Sequence, residues 1–227
     1  MIEPIVYDFL TQLKSNNTRD WFQENKPFYQ KAKASFEKSV SELIALIHSI
    51  DDSIGPIEPK DCVFRIYRDT RFSKNKTPYK TNMGAYIVRG GRKSPRGGYY
   101  FHAEPGESFV AGGIYCPPAE ELKKVRKEVY NFNDEFKDII YSKEFKAMYP
   151  ELYQDKLKMA PKGFPKDFED IDLLKYKSYI VSHSLSDEEM TGKNGKDILA
   201  KAIKTVKPLN DFINRGLDAE EEEVVVL

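Results

Sequence analysis

A change in hydrophobic period restricts this chain more than any other feature. Residues 62–117 contain four runs with strand character: CVFRIYRD, NMGAYIVRG, GGYYFHAEPG and ESFVAGGIYCP. The Gly-rich stretch GGRKSPRGG joins the second to the third. In the first run Cys62, Phe64 and Ile66 alternate with Val63, Arg65 and Tyr67, the period of two that sends successive side chains to opposite faces of a sheet. A parallel crossover needs a dozen or more residues, so short joints favour antiparallel neighbours. The expectation is an antiparallel meander over residues 62–117.

On either side the period is three to four. Ile5, Phe9 and Leu13 suit a short helix, Asn17 or Thr18 offers the next cap, and Trp21 and Phe22 come next as anchors to the core. Pro27 sits where a helix can begin, and Ala32, Phe36, Val40, Leu43 and Ile47 carry a long amphipathic helix to about Ile50. After Pro117 and Pro118 the helical spacing returns in Leu122, Val125, Val129, Phe132, Phe136 and Ile139, with Asn131 and Asn133 as break points. KSYIVSHSL reads as a further strand near 178–184, and NGKDILAKAIKTV opens a last helix that Pro208 kinks or restarts. With 40% hydrophobic and 13% aromatic residues the chain can build a sizeable core. The expected fold class is α+β. It is a single domain over 1–227 whose mainly antiparallel sheet, centred on 62–117, is packed by N-terminal, middle and C-terminal helices (1–50 helical, 118–216 helical with one strand). An acidic tail at 218–227 is expected to fray.

The 36 Lys and Arg balance 36 Asp and Glu, which argues against a protein that coats nucleic acid along its whole surface. The balance does not hold locally: Arg65 to Arg96 holds ten basic residues against Asp69 alone, a formal +9, leaving 26 basic and 35 acidic residues elsewhere. Within FRIYRDTRFSKNKTPYKT, Arg65, Arg68 and Arg71 recur every three residues, with Lys76 and Tyr79 after them. Arginine keeps its charge and its planar fork matches carboxylate or phosphate, so the segment is a candidate anion site, with Asp69 orienting one guanidinium and Tyr79 offering a hydroxyl. His102 and Glu104 share a strand face with Tyr100, and a carboxylate beside an imidazole suits acid–base work, so these two are the candidate catalytic residues. Gly112 and Gly113 lie inside the AGGIY strand and mark a close approach, either of a packed helix or of a ligand.

Familiar catalytic motifs are missing. Gly195-Lys196 lacks the Walker pattern, with Met190 and Asp197 at the deciding positions. There is no HExxH, no GxGxxG and no GxSxG, and three scattered histidines do not suggest a metal site. No metal and no cofactor are expected. The N-terminal MIEPIVYDFLTQL lacks the make-up of a signal peptide, no apolar run spans a membrane, and Cys62 and Cys116 read as free thiols, so a cytoplasmic location is expected.

Arg65-x-x-Arg68-Asp69-x-Arg71-Phe72 followed by Asn75-Lys76-x-x-Tyr79 resembles the signature of a bacterial family known as DUF2461, as do GGYYFHAEPGESFVAGGIY and, more loosely, PKGFP and LLKYKSYIVS. The resemblance implies a family-wide domain and carries no activity, substrate or cofactor. Three readings of the cationic motif stand: a cleft for a small anionic ligand, phosphate or carboxylate, with turnover left open; a nucleic-acid-binding module using the aromatic-rich segment 65–96; and a structural ion network. Oligomeric state is left open.

Overall fold

The computed structural model describes residues 1–219. The chain runs α1 (Pro4–Ser15), α2 (Arg19–Glu24), α3 (Lys26–His48), α4 (Pro59–Cys62), β1 (Met83–Ile87), β2 (Gly98–Ala103), β3 (Ser108–Ile114), α5 (Ala119–Asn131), α6 (Asn133–Tyr141), α7 (Lys143–Met148), α8 (Ile171–Leu174), β4 (Tyr179–Leu185), α9 (Asp187–Thr191) and α10 (Gly195–Asp218). The four strands form one antiparallel sheet in the order β1-β2-β3-β4, so the fold is α+β. Among the described residues no helix is long and apolar enough to cross a membrane. The described residues divide into two compact units, one of Met1–Ser94, Gly98–Ala111 and Ser182–Lys204, the other of Pro95–Gly97, Gly112–Val181 and residues 205–219. Of the tail read at 218–227, residues 220–227 lie outside the described part.

In the first unit the helices form where the sequence signals them. Pro4 and Pro27 occupy first turns, where a missing N–H costs nothing, and the Thr18 hydroxyl accepts from the Trp21 amide at the start of α2. Helix α1 buries Val6, Phe9, Leu10 and Leu13, and α3 buries Ala32, Phe36, Val40 and Ile47. Phe36 stacks on Phe101 of β2 at 6.2 Å. The register pairs Met83 with Ala103, Ala85 with Phe101 and Ile87 with Tyr99, so these six buried residues make one apolar face. The other face carries Gly84, Tyr86, Tyr100 and His102. Beyond the end of α3, buried Asp51 accepts from the Tyr99 hydroxyl at 2.7 Å, which satisfies a carboxylate that would otherwise be expensive to bury.

The first expected strand is the main departure. Pro59 and a capping box between Glu58 and Asp61 start a helical turn that runs to Cys62, so a residue expected in a strand ends α4. Beyond Cys62 the chain is extended but irregular. Val63 bridges Ala85 and Tyr67 bridges Tyr79, both as isolated antiparallel bridges, and the Phe64 amide donates to the Gly84 carbonyl at 2.9 Å. The alternation fails here too: Ile66 is buried while Phe64 is exposed beside Tyr100.

In the second unit α5 and α6 are separated at Phe132, between the two asparagines that mark the break. Phe136 packs against Tyr179 at 5.8 Å and Phe212 at 5.3 Å. Pro208 lies within α10, which continues through it as one helix of 24 residues. The Gly112–Gly113 pair is a packing device. A Cβ on Gly112 would meet the Val206 side chain at 2.5 Å, and one on Gly113 (φ +118°) would meet the Tyr179 carbonyl at 2.0 Å. Helix and strand, not a ligand, occupy the space these glycines open.

Candidate functional site

The loop from Arg68 to Tyr79 is organised by its own side chains. Arg68 Nη1 donates to the Thr77 carbonyl at 3.2 Å and to the Thr77 hydroxyl, and Nη2 reaches Ser73 Oγ at 3.5 Å. Asn75 Oδ1 accepts from the Thr77 amide and hydroxyl, and Lys76 Nζ donates to the Thr70 carbonyl at 2.8 Å. Arg71 grips Asp69 with two bonds of 3.0 and 2.7 Å, and its backbone amide adds a third. These contacts hold the Asp69 carboxyl below the usual carboxylate range, with Arg71 as the larger cause and Arg65 as a minor one. Tyr79 is buried and stacks on Phe22 at 4.0 Å, while Asn17 brackets its backbone with two hydrogen bonds. Asp69 thus pairs with Arg71, whereas Arg68 and Lys76 bind other parts of the loop. Phe72 at the tip is 95% exposed, with the Arg71 guanidinium 5.8 Å from its ring.

Arg65 and Lys80 behave differently. Among the described residues neither has a hydrogen-bonding or ion-pairing side-chain partner. Lys80 Nζ lies over the Phe64 ring at 5.4 Å, and burial, with Arg65 as a second cause, holds its pKa below the ordinary lysine value. Like charges repel the more strongly the less water lies between them. An anion between them would reverse the sign of that interaction.

Next to Phe64, on the face of the sheet that carries Tyr100 and His102, lies a chain of hydrogen bonds. Tyr100 Oη is 3.0 Å from His102 Nδ1, and His102 Nε2 is 3.1 Å from Glu104 Oε2. Glu104 Oε1 accepts from the Thr81 hydroxyl at 2.7 Å, with Lys14 Nζ at 4.0 Å. A carboxylate only accepts, so Nε2 carries the imidazole proton and Nδ1 receives the Tyr100 hydroxyl and, at 3.3 Å, the Asn82 amide. His102 and Glu104 are 14% and 12% exposed, and the imidazole stacks on Phe109 at 4.5 Å. Burial lowers the His102 pKa below 6.5 and outweighs Glu104, which acts the other way; burial pushes the Tyr100 hydroxyl up to about 12. At neutral pH the phenol therefore keeps its proton and the imidazole is neutral.

Local structure places each member. Tyr100, His102 and Glu104 succeed one another at intervals of two along β2 and its end, which the sequence makes legible. Glu104 starts the tight turn to β3, closed by the Glu107 amide to its carbonyl and by Ser108 Oγ, which bonds both its amide and its carbonyl. Tyr7 Oη meets the same Ser108 hydroxyl at 2.7 Å and ties the turn to α1. Gly84 makes room opposite, since a Cβ there would sit 2.5 Å from Tyr100 Oη. Thr81, Asn82 and Lys14 carry no sequence signal, and Lys80 carries only that of the basic segment 65–96, because closure of the loop and of α1 is what brings them here. Among the described residues no group of three or more His, Cys, Asp and Glu side chains could hold a metal ion.

The charge state of His102 has a measurable consequence. A histidine whose folded pKa is depressed binds fewer protons folded than unfolded between the two values, so stability falls as pH drops below 6.5 towards the folded pKa. NMR titration of the imidazole is expected to show a midpoint below 6.5 and the Nε2–H tautomer, and His102→Gln is expected to flatten the acid limb of stability against pH. A midpoint above 6.5 would contradict the burial argument.

The family model described as Conserved hypothetical protein (DUF2461) matches residues 6–212. No curated protein and no solved structure matches the chain.

Proposed function

The chain belongs to the DUF2461 family, and we propose that it binds a small anion, phosphate or carboxylate, at Arg65 and Lys80 beside the Tyr100 and His102 face of β1 and β2. The observation that carries this reading is the half-buried Lys80, held over the Phe64 ring with Arg65 as a charged neighbour, and no ion pair on either side chain among the described residues. Arginine supplies a bidentate fork and lysine a point charge, a pairing suited to an oxyanion. Arg68, Arg71 and Lys76 support the site indirectly, by keeping the 68–79 loop in one shape. Both cysteines are free, which accords with a reducing cytoplasm.

A second reading, single-stranded nucleic acid, draws on exposed Phe72 beneath Arg71, since bases stack on aromatic faces and cations follow phosphates. Other basic side chains of the segment weaken it. Arg92 is engaged with the Lys60 carbonyl and Arg96 with Asp218.

The test is thermal unfolding with phosphate, sulfate or acetate at millimolar concentration. A ligand at about 100 times its Kd stabilises by about 2.7 kcal/mol, which raises the Tm of a chain of this size by several degrees. Wild type is expected to show that rise. Lys80→Met is expected to lose it while its ligand-free Tm stays equal or increases, because a desolvated charge has been removed. No rise with any of the three anions would overturn the anion reading, and binding of an oligonucleotide that Phe72→Ala weakens would favour the second one.

A further inference from the structure

We propose that Tyr100 is a nucleophile for phosphoryl transfer, activated through His102 and Glu104, so that the anion held by Arg65 and Lys80 is a phosphate monoester that this site hydrolyses. The proposal rests on the anion reading. Its independent support is the order and direction of the hydrogen bonds. A hydroxyl donates to Nδ1 at 3.0 Å, and the far nitrogen donates to a carboxylate at 3.1 Å. That is the arrangement in which an imidazole takes a proton from a hydroxyl nucleophile while a buried acid stabilises the imidazolium. Glu104 is itself fixed by Thr81, so the imidazole cannot swing away from the phenol without leaving its carboxylate. Asn82 gives Nδ1 a second donor and keeps it an acceptor.

The ring of Phe64 connects the relay to the cations. Its centroid is 6.2 Å from that of Tyr100, and Lys80 Nζ lies 5.4 Å above it. Phe64 and Phe109 pack against the ring of Tyr100. Gly84 leaves the hydroxyl its space, because a Cβ there would lie 2.5 Å from Tyr100 Oη.

Two displacements complete the turnover. Tyr100 Oη attacks phosphorus, the P–O bond to the alcohol breaks, and the phenolic proton passes to His102 Nδ1 and then to the departing alkoxide. Water next attacks the phosphotyrosyl group, its proton passes to Nδ1, and Nδ1 returns it to the released phenolate. One ester and one water become one alcohol and one phosphate, with no redox change. Arg65 and Lys80 offset the charge that builds on the phosphoryl oxygens.

The probe is p-nitrophenyl phosphate, with phosphate-dependent melting measured on the same samples. Wild type is expected to release nitrophenolate, and acid-quenched samples to carry a phosphoryl group on the peptide containing Tyr100. Tyr100→Phe is expected to lower kcat at least ~100-fold while the phosphate-dependent rise in Tm persists. His102→Gln is expected to lower kcat by about 10² to 10⁴ and to remove the acid limb of the kcat profile. If phosphate stabilises wild type but no nitrophenolate appears, or if Tyr100→Phe turns over normally, the nucleophile is wrong and the anion site stands. If phosphate does not stabilise wild type, the phosphoryl-transfer reading falls, and if sulfate and acetate also fail, the anion reading falls with it. A purely structural hydrogen-bond chain would lower Tm in the variants without a phosphoryl adduct ever forming on wild type.

Discussion

Gly113→Ala is expected to be the most damaging single-methyl change in the chain. The residue sits in β3 with φ +118°, a conformation that L side chains rarely adopt, and an added Cβ would lie 2.0 Å from the Tyr179 carbonyl oxygen and 2.8 Å from the Ile180 Cα. Both neighbours are backbone of β4, so no rotamer change relieves the clash. Moving them would also disturb Tyr179, which is fully buried, bonds the Leu173 carbonyl and packs on Phe136. Strained φ alone costs about 1–3 kcal/mol, and displacement of a packed strand adds to it, so a loss of about 4 kcal/mol or more is expected. Domains have only about 5–15 kcal/mol to lose. Chemical denaturation with near-ultraviolet circular dichroism is the measurement, and a loss under about 1 kcal/mol would show that β3 and β4 have room for a methyl group at this point. Gly112→Ala is the useful companion, since its collision is with the Val206 side chain, which can shift.

Phe22→Ala is expected to cost about 3–5 kcal/mol and to remove anion-dependent stabilisation as well. Phe22 is 3% exposed and stacks face to face on Tyr79 at 4.0 Å, with Tyr29 at 4.9 Å and Phe9 at 6.3 Å around it. The stack is what fastens the far end of the 68–79 loop to α2, and Lys80 is the next residue along the chain. Truncation leaves a cavity and frees Tyr79, so Lys80 loses its fixed place over Phe64. Phe22→Leu separates the two effects: it keeps most of the volume and is expected to recover most of the stability but less of the binding. If Phe22→Ala melts lower yet responds to phosphate as wild type does, the loop does not position the site.

The two variants bracket what can be read from local pattern. The helices and most of the strands are legible because their signals are local. Pro27 starts α3, Thr18 caps α2, and the period of three to four or of two reflects which face each element buries. The same period of two is enough to put Tyr100, His102 and Glu104 on one side of β2. At Cys62 the local signals compete. Alternation argues for a strand, while Pro59 and the Glu58–Asp61 capping box argue for a helical turn; the turn forms and the strand breaks up into isolated bridges.

Local pattern therefore sets the kind of each element and the residues that share a face. Which cations are occupied and which are left is settled only once the chain has closed in three dimensions. Arg65, Arg68 and Arg71 look equivalent at spacings of three, yet Arg68 finds Thr77 and Arg71 finds Asp69, because those partners lie within the same folded loop. Arg65 instead comes near Lys80, at the other end of that loop, where the Lys80 amide bonds the Ile66 carbonyl across its base. Lys14 of α1 and Asn17 of the turn after it arrive from far away in the chain, Lys14 at Glu104 and Asn17 at Tyr79. The physical reason is that a period constrains direction and not distance. Side-chain partners across a loop or between elements are chosen by closure of the chain and by burial, and neither is written in the spacing of any one segment.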